Sequence, residues 1–322
     1  MTRRPRGLSV LLLLAAIGLP APRARAASFP PRLRFRTVST ERVTVIYHQG
    51  LEAMARQAAS LATELLEAHE ARYGHRIGRL QIVLSDVEDE PNGFSTPLPY
   101  PLVYIHAAAP DGTDEFGNHD GWLRLVIAHE LAHSVHLDEG RGLIRVGRKI
   151  LGRAPFLFPN LFTPTWMIEG LATYEETERT AFGRGRNPDT RMVLRMAALE
   201  ERFPKEDQAV FALDAWPGGL APYLFGEPFL RFVTERSGQD ALPALARKQS
   251  GQVLPFLDDL TAHSITGASF HAQWRLWAAA VRSALELREV RLADSFFQLL
   301  LHGAHYLELG HLATQPPQGA FD

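Results

Sequence analysis

The chain has 322 residues, 46% of them hydrophobic, with 34 basic and 36 acidic side chains and no cysteine. Near-neutral charge argues against nucleic acid as a partner. The missing cysteines exclude disulfides, a thiolate zinc site and a lipid-attachment box, so any metal must be held by histidine and carboxylate.

Residues 1–26 read as an export signal. Arg3, Arg4 and Arg6 open it, residues 8–19 form an apolar run too short to cross a bilayer comfortably, and Ala24-Arg25-Ala26 supplies a small-x-small cleavage pattern. Cleavage near Ala27 removes five arginines and leaves 29 basic against 36 acidic side chains, a charge of −7. No later stretch reaches 18 apolar residues, so no integral membrane segment is expected after cleavage. Export without disulfides fits a bacterial periplasmic or secreted protein.

Residues 33–47 hold two strand-like runs, the second being β-branched and alternating. Residues 51–72 have helical spacing, with Leu51, Met54, Ala58, Leu61, Leu65 and Leu66 on one face, and Gly74 and Gly78 end the pattern. Residues 80–84 predict a short buried strand, Pro91-Asn92-Gly93 a turn, and residues 102–106 another strand. These make a small strand-and-helix unit.

Residues 127–136 read Ile-Ala-His-Glu-Leu-Ala-His-Ser-Val-His. Positions i and i+4 share one helix face, so His129 and His133 can direct two imidazoles at one metal, with Glu130 beside the same cleft. The apolar run 122–128 is helix-compatible, and Asn118 and Asp120 are N-cap candidates. Catalytic zinc takes three protein ligands and keeps a position for water. The candidate third ligand is Glu169, a lone acid in Trp166-Met167-Ile168-Glu169-Gly170-Leu171-Ala172, since a metal would offset the cost of burying it. Thr163 or Thr165 could cap that helix. A solvated glutamate favoured by the helix dipole is the plainer alternative.

The insert between the two segments, residues 138–162, mixes five cations with many apolar side chains. It reads as a helix-and-loop connection whose apolar face packs on the body of the protein; a cleft rim, a gate or a membrane-touching turn are the alternatives.

The wording His-Glu-Leu-Ala-His at 129–133 with Trp-Met-Ile-Glu-Gly-Leu-Ala-Thr-Tyr at 166–174 resembles the gluzincin metallopeptidases, in their aminopeptidase-like, peptidase MA-like branch. The match is specific over residues 119–178 and looser from about 40 to about 280. The resemblance implies an α+β, thermolysin-like two-lobed fold, with a small β-sheet-plus-helix upper lobe and an α-helical lower lobe. It implies a metallopeptidase domain over 27–285 and a helical extension with a loose tail over 286–322. It makes His129, His133 and Glu169 the ligands of one Zn²⁺ ion and Glu130 the general base. In such enzymes an edge strand beside the cleft receives the substrate backbone; residues 102–106 are the candidate here, or else an ordinary structural strand. Two departures stand out. The 35 residues between His133 and Glu169 exceed the spacing common in aminopeptidases and thermolysin-like enzymes. The exopeptidase signature Gly-x-Met-Glu-Asn is absent, its place taken by Gly93-Phe94-Ser95-Thr96-Pro97, which leaves endopeptidase and other amide hydrolase activity open.

Helical spacing follows near 189–202, 222–236, 239–248, 253–262 and 268–290. Within it, Tyr223 matches a family tyrosine whose hydroxyl meets the developing oxyanion, or is a packing residue at a helix start. His119 and His136 near the zinc-helix ends, and His302, His305 and His311 in the tail, are read as solvated or packing residues. Thr173 is a weak candidate for orienting an imidazole. Relatives often carry a β-propeller after such a domain; residues 286–322 show no blade repeat, which reads as a truncated form of a propeller-containing protein, a domain that works alone, or one with a separate propeller-type partner.

The expected activity is therefore zinc-dependent hydrolysis of peptide or protein substrates. The competing classes are an exported binding module that keeps the scaffold without catalysis, and a zinc hydrolase of non-protein amides. Glu130 disfavours the first, since a structural zinc site has no use for a base.

Overall fold

Short β-branched runs and long alanine- and leucine-rich runs alternate in the first half of the chain, and the computed structural model, which describes residues 29–110, 121–211 and 216–285, folds them as a sheet backed by helices. The strands are β1 (Phe35–Ser39), β2 (Val43–His48), β3 (Leu80–Ser85), β4 (Gly93–Thr96) and β5 (Leu102–His106). Their order is β1-β2-β3-β5-β4, with β2, β3 and β5 parallel and the outer strands antiparallel to their neighbours. Alternation in β2 and β3 buries Val43, Val45 and Tyr47 and, in register, Leu80, Ile82 and Leu84. The expected export signal, Asn118, Asp120, His119, the tail histidines and the C-terminal extension lie outside the described residues.

Helix α1 (Glu52–Tyr73) lies between β2 and β3 and ends where Gly74, at φ 62°, donates its N–H to the carbonyl of Glu70. Its buried stripe is rich in small residues, Ala55, Ala58, Ala59 and Ala62, ahead of Leu65 and Leu66. Helix α2 (Trp122–Asp138) is buried nearly throughout, and α3 (Gly142–Leu151) belongs to the insert. The remaining helices are α4 (Thr165–Arg179), α5 (Pro188–Leu199), α6 (Ala221–Ser237), α7 (Ala241–Gln249), α8 (Asp258–Thr266) and α9, which runs from 270 to at least 285. The chain is thus α+β, a five-stranded mixed sheet with helices. No helix among the described residues is long and apolar enough to cross a membrane.

Several expectations need correction. β5 is not an edge strand: it lies between β3 and β4. β4 itself is not among the expected elements: it starts at the last residue of the predicted 91–93 turn, and Gly93-Phe94-Ser95-Thr96 lacks apolar alternation and becomes a strand by pairing with β5, Thr96 opposite Leu102 and Gly93 opposite Ile105. Neither threonine caps α4: Pro164 holds the N-cap, and the Thr163 hydroxyl donates to the carbonyl of Asn160. Helix α8 begins five residues later than its pattern, the intervening Phe256 lying at φ 65°. The insert buries Leu157 and Phe158 with Ile144, but its helix leaves most of its apolar residues out, since Leu143, Val146, Ile150 and Leu151 are all exposed and only Ile144 of α3 is buried. The reason is that arginines set the helix rotation. Arg148 stacks on Phe158 at 3.7 Å and donates to the carbonyls of Leu157, Asp138 and Glu139. Arg153 reaches the carbonyl of Pro97 and the carboxylate of Asp138.

Helices α4 and α6 cross in backbone contact. A Cβ added at Gly226 would lie 2.2 Å from the carbonyl oxygen of Trp166, and one added at Gly170 would lie 2.5 Å from the backbone of Gly226. Trp166 anchors the crossing in an aromatic cluster with Phe229, Phe270 and Trp274, at ring separations of 5.1–5.7 Å. Gly226→Ala is expected to push the two helices apart and to destabilise the protein by about 3 kcal/mol in urea melts.

A broad hollow of about 950 Å³ runs along Phe203, Trp274 and Glu206. Burial there, reinforced by Asp259, Asp258 and Asp207, raises Glu206 to about 7. A raised carboxylate favours the folded state below its ordinary pKa, and that contribution is lost as pH rises through 7. Glu206→Gln is therefore expected to stabilise the protein at pH 8 by about 1–2 kcal/mol, a figure reduced for partial exposure, and to change little at pH 4.5. Thermal unfolding at the two pH values checks it.

Candidate metal centre

Helix α2 supplies His129 and His133 one turn apart, and α4 supplies Glu169 from its first turns. The two Nε2 atoms lie 3.1 Å apart, and Glu169 Oε2 lies 3.4 Å from that of His129 and 3.2 Å from that of His133. Ligands at zinc bond lengths of about 2.0–2.1 Å and tetrahedral angles sit about 3.4 Å from one another. The three donor atoms thus stand close to the spacing of one tetrahedral face, and they are of the type catalytic zinc takes.

Glu130 follows His129 on α2 and is buried, and its Oε2 has no hydrogen-bond partner among the described residues. Burial raises its pKa, opposed by His129 and His133. β4 presses against this carboxylate: a Cβ on Gly93 would come within 2.6 Å of Glu130 Oε1 and 2.7 Å of Val126 Cγ2, so any larger residue there would displace both side chains. The Ser95 and Ser134 hydroxyls, 2.8 Å apart, tie the same strand to α2. A cleft of about 230 Å³ opens between β4, α2, α4 and Tyr223, and its described lining holds no carboxylate besides Glu130 and Glu169.

Behind the donors stands a buried pair that sequence reasoning missed. Glu176 Oε2 accepts from His129 Nδ1 at 2.9 Å and from Arg184 Nη2 at 2.8 Å. Its Oε1 accepts from Arg184 Nε at 2.9 Å and from the Arg184 backbone N–H at 3.0 Å. Arg184 Nη2 also lies 2.8 Å from His129 Nδ1, and a proton on that nitrogen shared with Glu176 would leave the Nε2 lone pair for a metal. Burial opposes the charge on Glu176, but Arg184 prevails and lowers it to about 2. Burial and Arg184 press His129 down, yet hydrogen bonds to Glu169 and Glu176 raise it to about 9. Glu169 lies well below the usual carboxylate range: burial opposes this, and the two imidazoles outweigh it. The signal for Glu176 was present, since it stands two helical turns beyond Glu169. Arg184, in the turn after α4, gave none.

Tyr223, in the first turn of α6, lines the cleft with its ring 6.2 Å from that of His129 and the Arg184 guanidinium 4.7 Å from its centroid. Burial and the Glu169 carboxylate raise its pKa, so the hydroxyl remains a neutral donor. His136 is fully buried away from the cleft, pushed to about 3 by burial and by His133. Thr173 is buried too and lines a neighbouring hollow with Arg184, Tyr223 and Glu227, whereas Glu176 is hydrogen-bonded to the His129 imidazole.

No protein-family model matches the chain, and no curated protein matches it. Among solved structures, the chain is similar to an M1 zinc metallopeptidase variant from Deinococcus radiodurans, at 16% identity and TM-score 0.46 over 76% of this chain and 52% of that one. A complex of that variant with a Tyr-Ser-Ala substrate matches at 16% identity and TM-score 0.44, over 76% and 51% of the two chains. Leukotriene A4 hydrolase from Saccharomyces cerevisiae matches at 14% identity and TM-score 0.38, over 74% and 34%. The chain therefore spans about half or less of the length of these structures.

Proposed function

We propose that the protein is an exported zinc metallopeptidase of the gluzincin type. The observation that carries this reading is the spacing of three donor atoms, 3.1–3.4 Å from one another, with the buried Glu130 next to them, its Oε2 without a hydrogen-bond partner among the described residues. His129, His133 and Glu169 would hold the ion. Zinc bound there would supply Lewis acidity toward a scissile carbonyl and would lower the pKa of a bound water. Glu130, raised by burial, takes the proton of the attacking water and returns it to the leaving nitrogen. Glu176, held charged by Arg184, fixes the tautomer of His129. Tyr223 donates its hydroxyl to the oxygen on which negative charge develops. Tyr223→Phe is therefore expected to lower kcat about 10²- to 10³-fold with little change in KM.

The substrate backbone adds to the outer edge of β4, beside Glu130. In this reading the sheet with α1 forms one lobe, the helices from α4 onward form the other, and the cleft divides them. The mature chain begins near Ala27, and N-terminal sequencing of exported protein tests that start. The activity is tested by incubating the purified chain with a mixed peptide library, with and without a chelator. Chelator-sensitive cleavage restored by zinc supports the reading, and cleavage inside peptides would make it an endopeptidase. A zinc-loaded chain that leaves the whole library intact overturns it.

A further inference from the structure

Helix α3 carries an apolar stripe that the fold leaves uncovered. Leu143, Val146 and Ile150 recur at helical spacing, with Leu143 and Ile150 exposed to 73% and 75%, and Phe156 just beyond the helix to 63%. Arg145 and Lys149, one turn apart and exposed, run along the neighbouring stripe, and neither has a salt bridge among the described residues. Across residues 140–168 there are five cations and not one acid, in a chain with more acidic than basic side chains overall. The helix is nonetheless held firmly from beneath, by Ile144 packed on Leu157 and Phe158 and by Arg148 donating to three carbonyls.

We propose that α3 docks the protein on an anionic lipid surface, with Leu143, Val146, Ile150 and Phe156 entering the headgroup boundary and Arg145 and Lys149 meeting the phosphates. Charge complementarity selects this occupant: an acid-free basic helix suits a surface bearing many negative charges. Long cationic stems let the charges stay at headgroup level while the apolar tips go deeper. The docking site lies beside the cleft, since Arg153 of the same insert bonds the carbonyl of Pro97, the residue after β4. Docking would bring that end of the cleft near the membrane. This inference stands whether or not the peptidase reading does.

The test exploits the absence of cysteine. In the full chain, Ile150→Cys is labelled with a polarity-sensitive dye, and Glu67→Cys, exposed on α1, serves as the distant control. Vesicles of phosphatidylcholine alone are compared with vesicles containing roughly one-third phosphatidylglycerol. The expected result is a blue shift at position 150 with the anionic vesicles only, quenched by lipids carrying a bilayer-depth quencher, and no change at position 67. Arg145→Glu with Lys149→Glu should weaken this response about tenfold or more. Vesicle association without a change at position 150 would mean that another segment binds, and would overturn the proposal. So would a dye already shielded without vesicles, which would reveal a protein segment or a second copy on the stripe.

Discussion

Glu130→Gln is expected to suppress hydrolysis by a factor on the order of 10⁴ while zinc stays bound. The substitution keeps the volume of the side chain, so it fits beneath Gly93, which packs directly on Glu130. It removes only the ability to accept a proton. None of the three proposed donors, His129, His133 and Glu169, is altered, because Glu130 lies beside them and not among them. Folding should be unharmed, since burial already disfavours the charge on this carboxylate. The measurements are kcat/KM on a peptide the parent cleaves and metal content by elemental analysis. Cleavage at the parent rate would remove Glu130 from the reaction, and loss of metal would make it part of the centre.

Glu169→Ala is expected to cut zinc affinity by a factor on the order of 10² to 10³, taking activity with it. Two imidazoles one turn apart on α2 make an incomplete site, and the third donor comes from a different helix, across 35 intervening residues. The Glu169 carboxylate lies within 3.4 Å of both Nε2 atoms, and the imidazoles hold its pKa below the usual carboxylate range against the effect of burial. Competition titration against a chelator of known affinity gives the number. Undiminished zinc binding would require another third ligand.

These two substitutions, one sparing the metal and one losing it, separate the functional classes. A binding module with structural zinc tolerates Glu130→Gln without consequence and fails with Glu169→Ala. A hydrolase fails with both, in different ways. The lipid-docking variants touch neither residue, so a protein that binds vesicles without cleaving peptides remains recognisable as such.

Much of the centre was legible because its spacing is local. His129, Glu130 and His133 lie within a turn and a half of a helix whose apolar run is plain in the sequence, and helical geometry alone sends both imidazoles to one side. Glu169 was legible for a different reason, the cost of burying a lone acid in an apolar segment. β4 was not legible, because Gly93-Phe94-Ser95-Thr96 has no pattern of its own and pairs only in the presence of β5. Arg184 was not legible either: it joins Glu176 through a turn whose course depends on how α4 ends.

By itself, then, the sequence determined which helix carries the histidines, which acid could join them and which class of metal they suit. All of these follow from periodicity and from desolvation costs along a few consecutive turns. Tertiary structure alone decided that β4 and not β5 borders the cleft, that a Glu176–Arg184 pair stands behind His129, and that α3 turns its apolar stripe outward. Each of those depends on contacts between distant segments. The rotation of α3, for example, is set by Arg148 finding the carbonyls of Asp138, Glu139 and Leu157, and no repeat in the chain encodes that meeting.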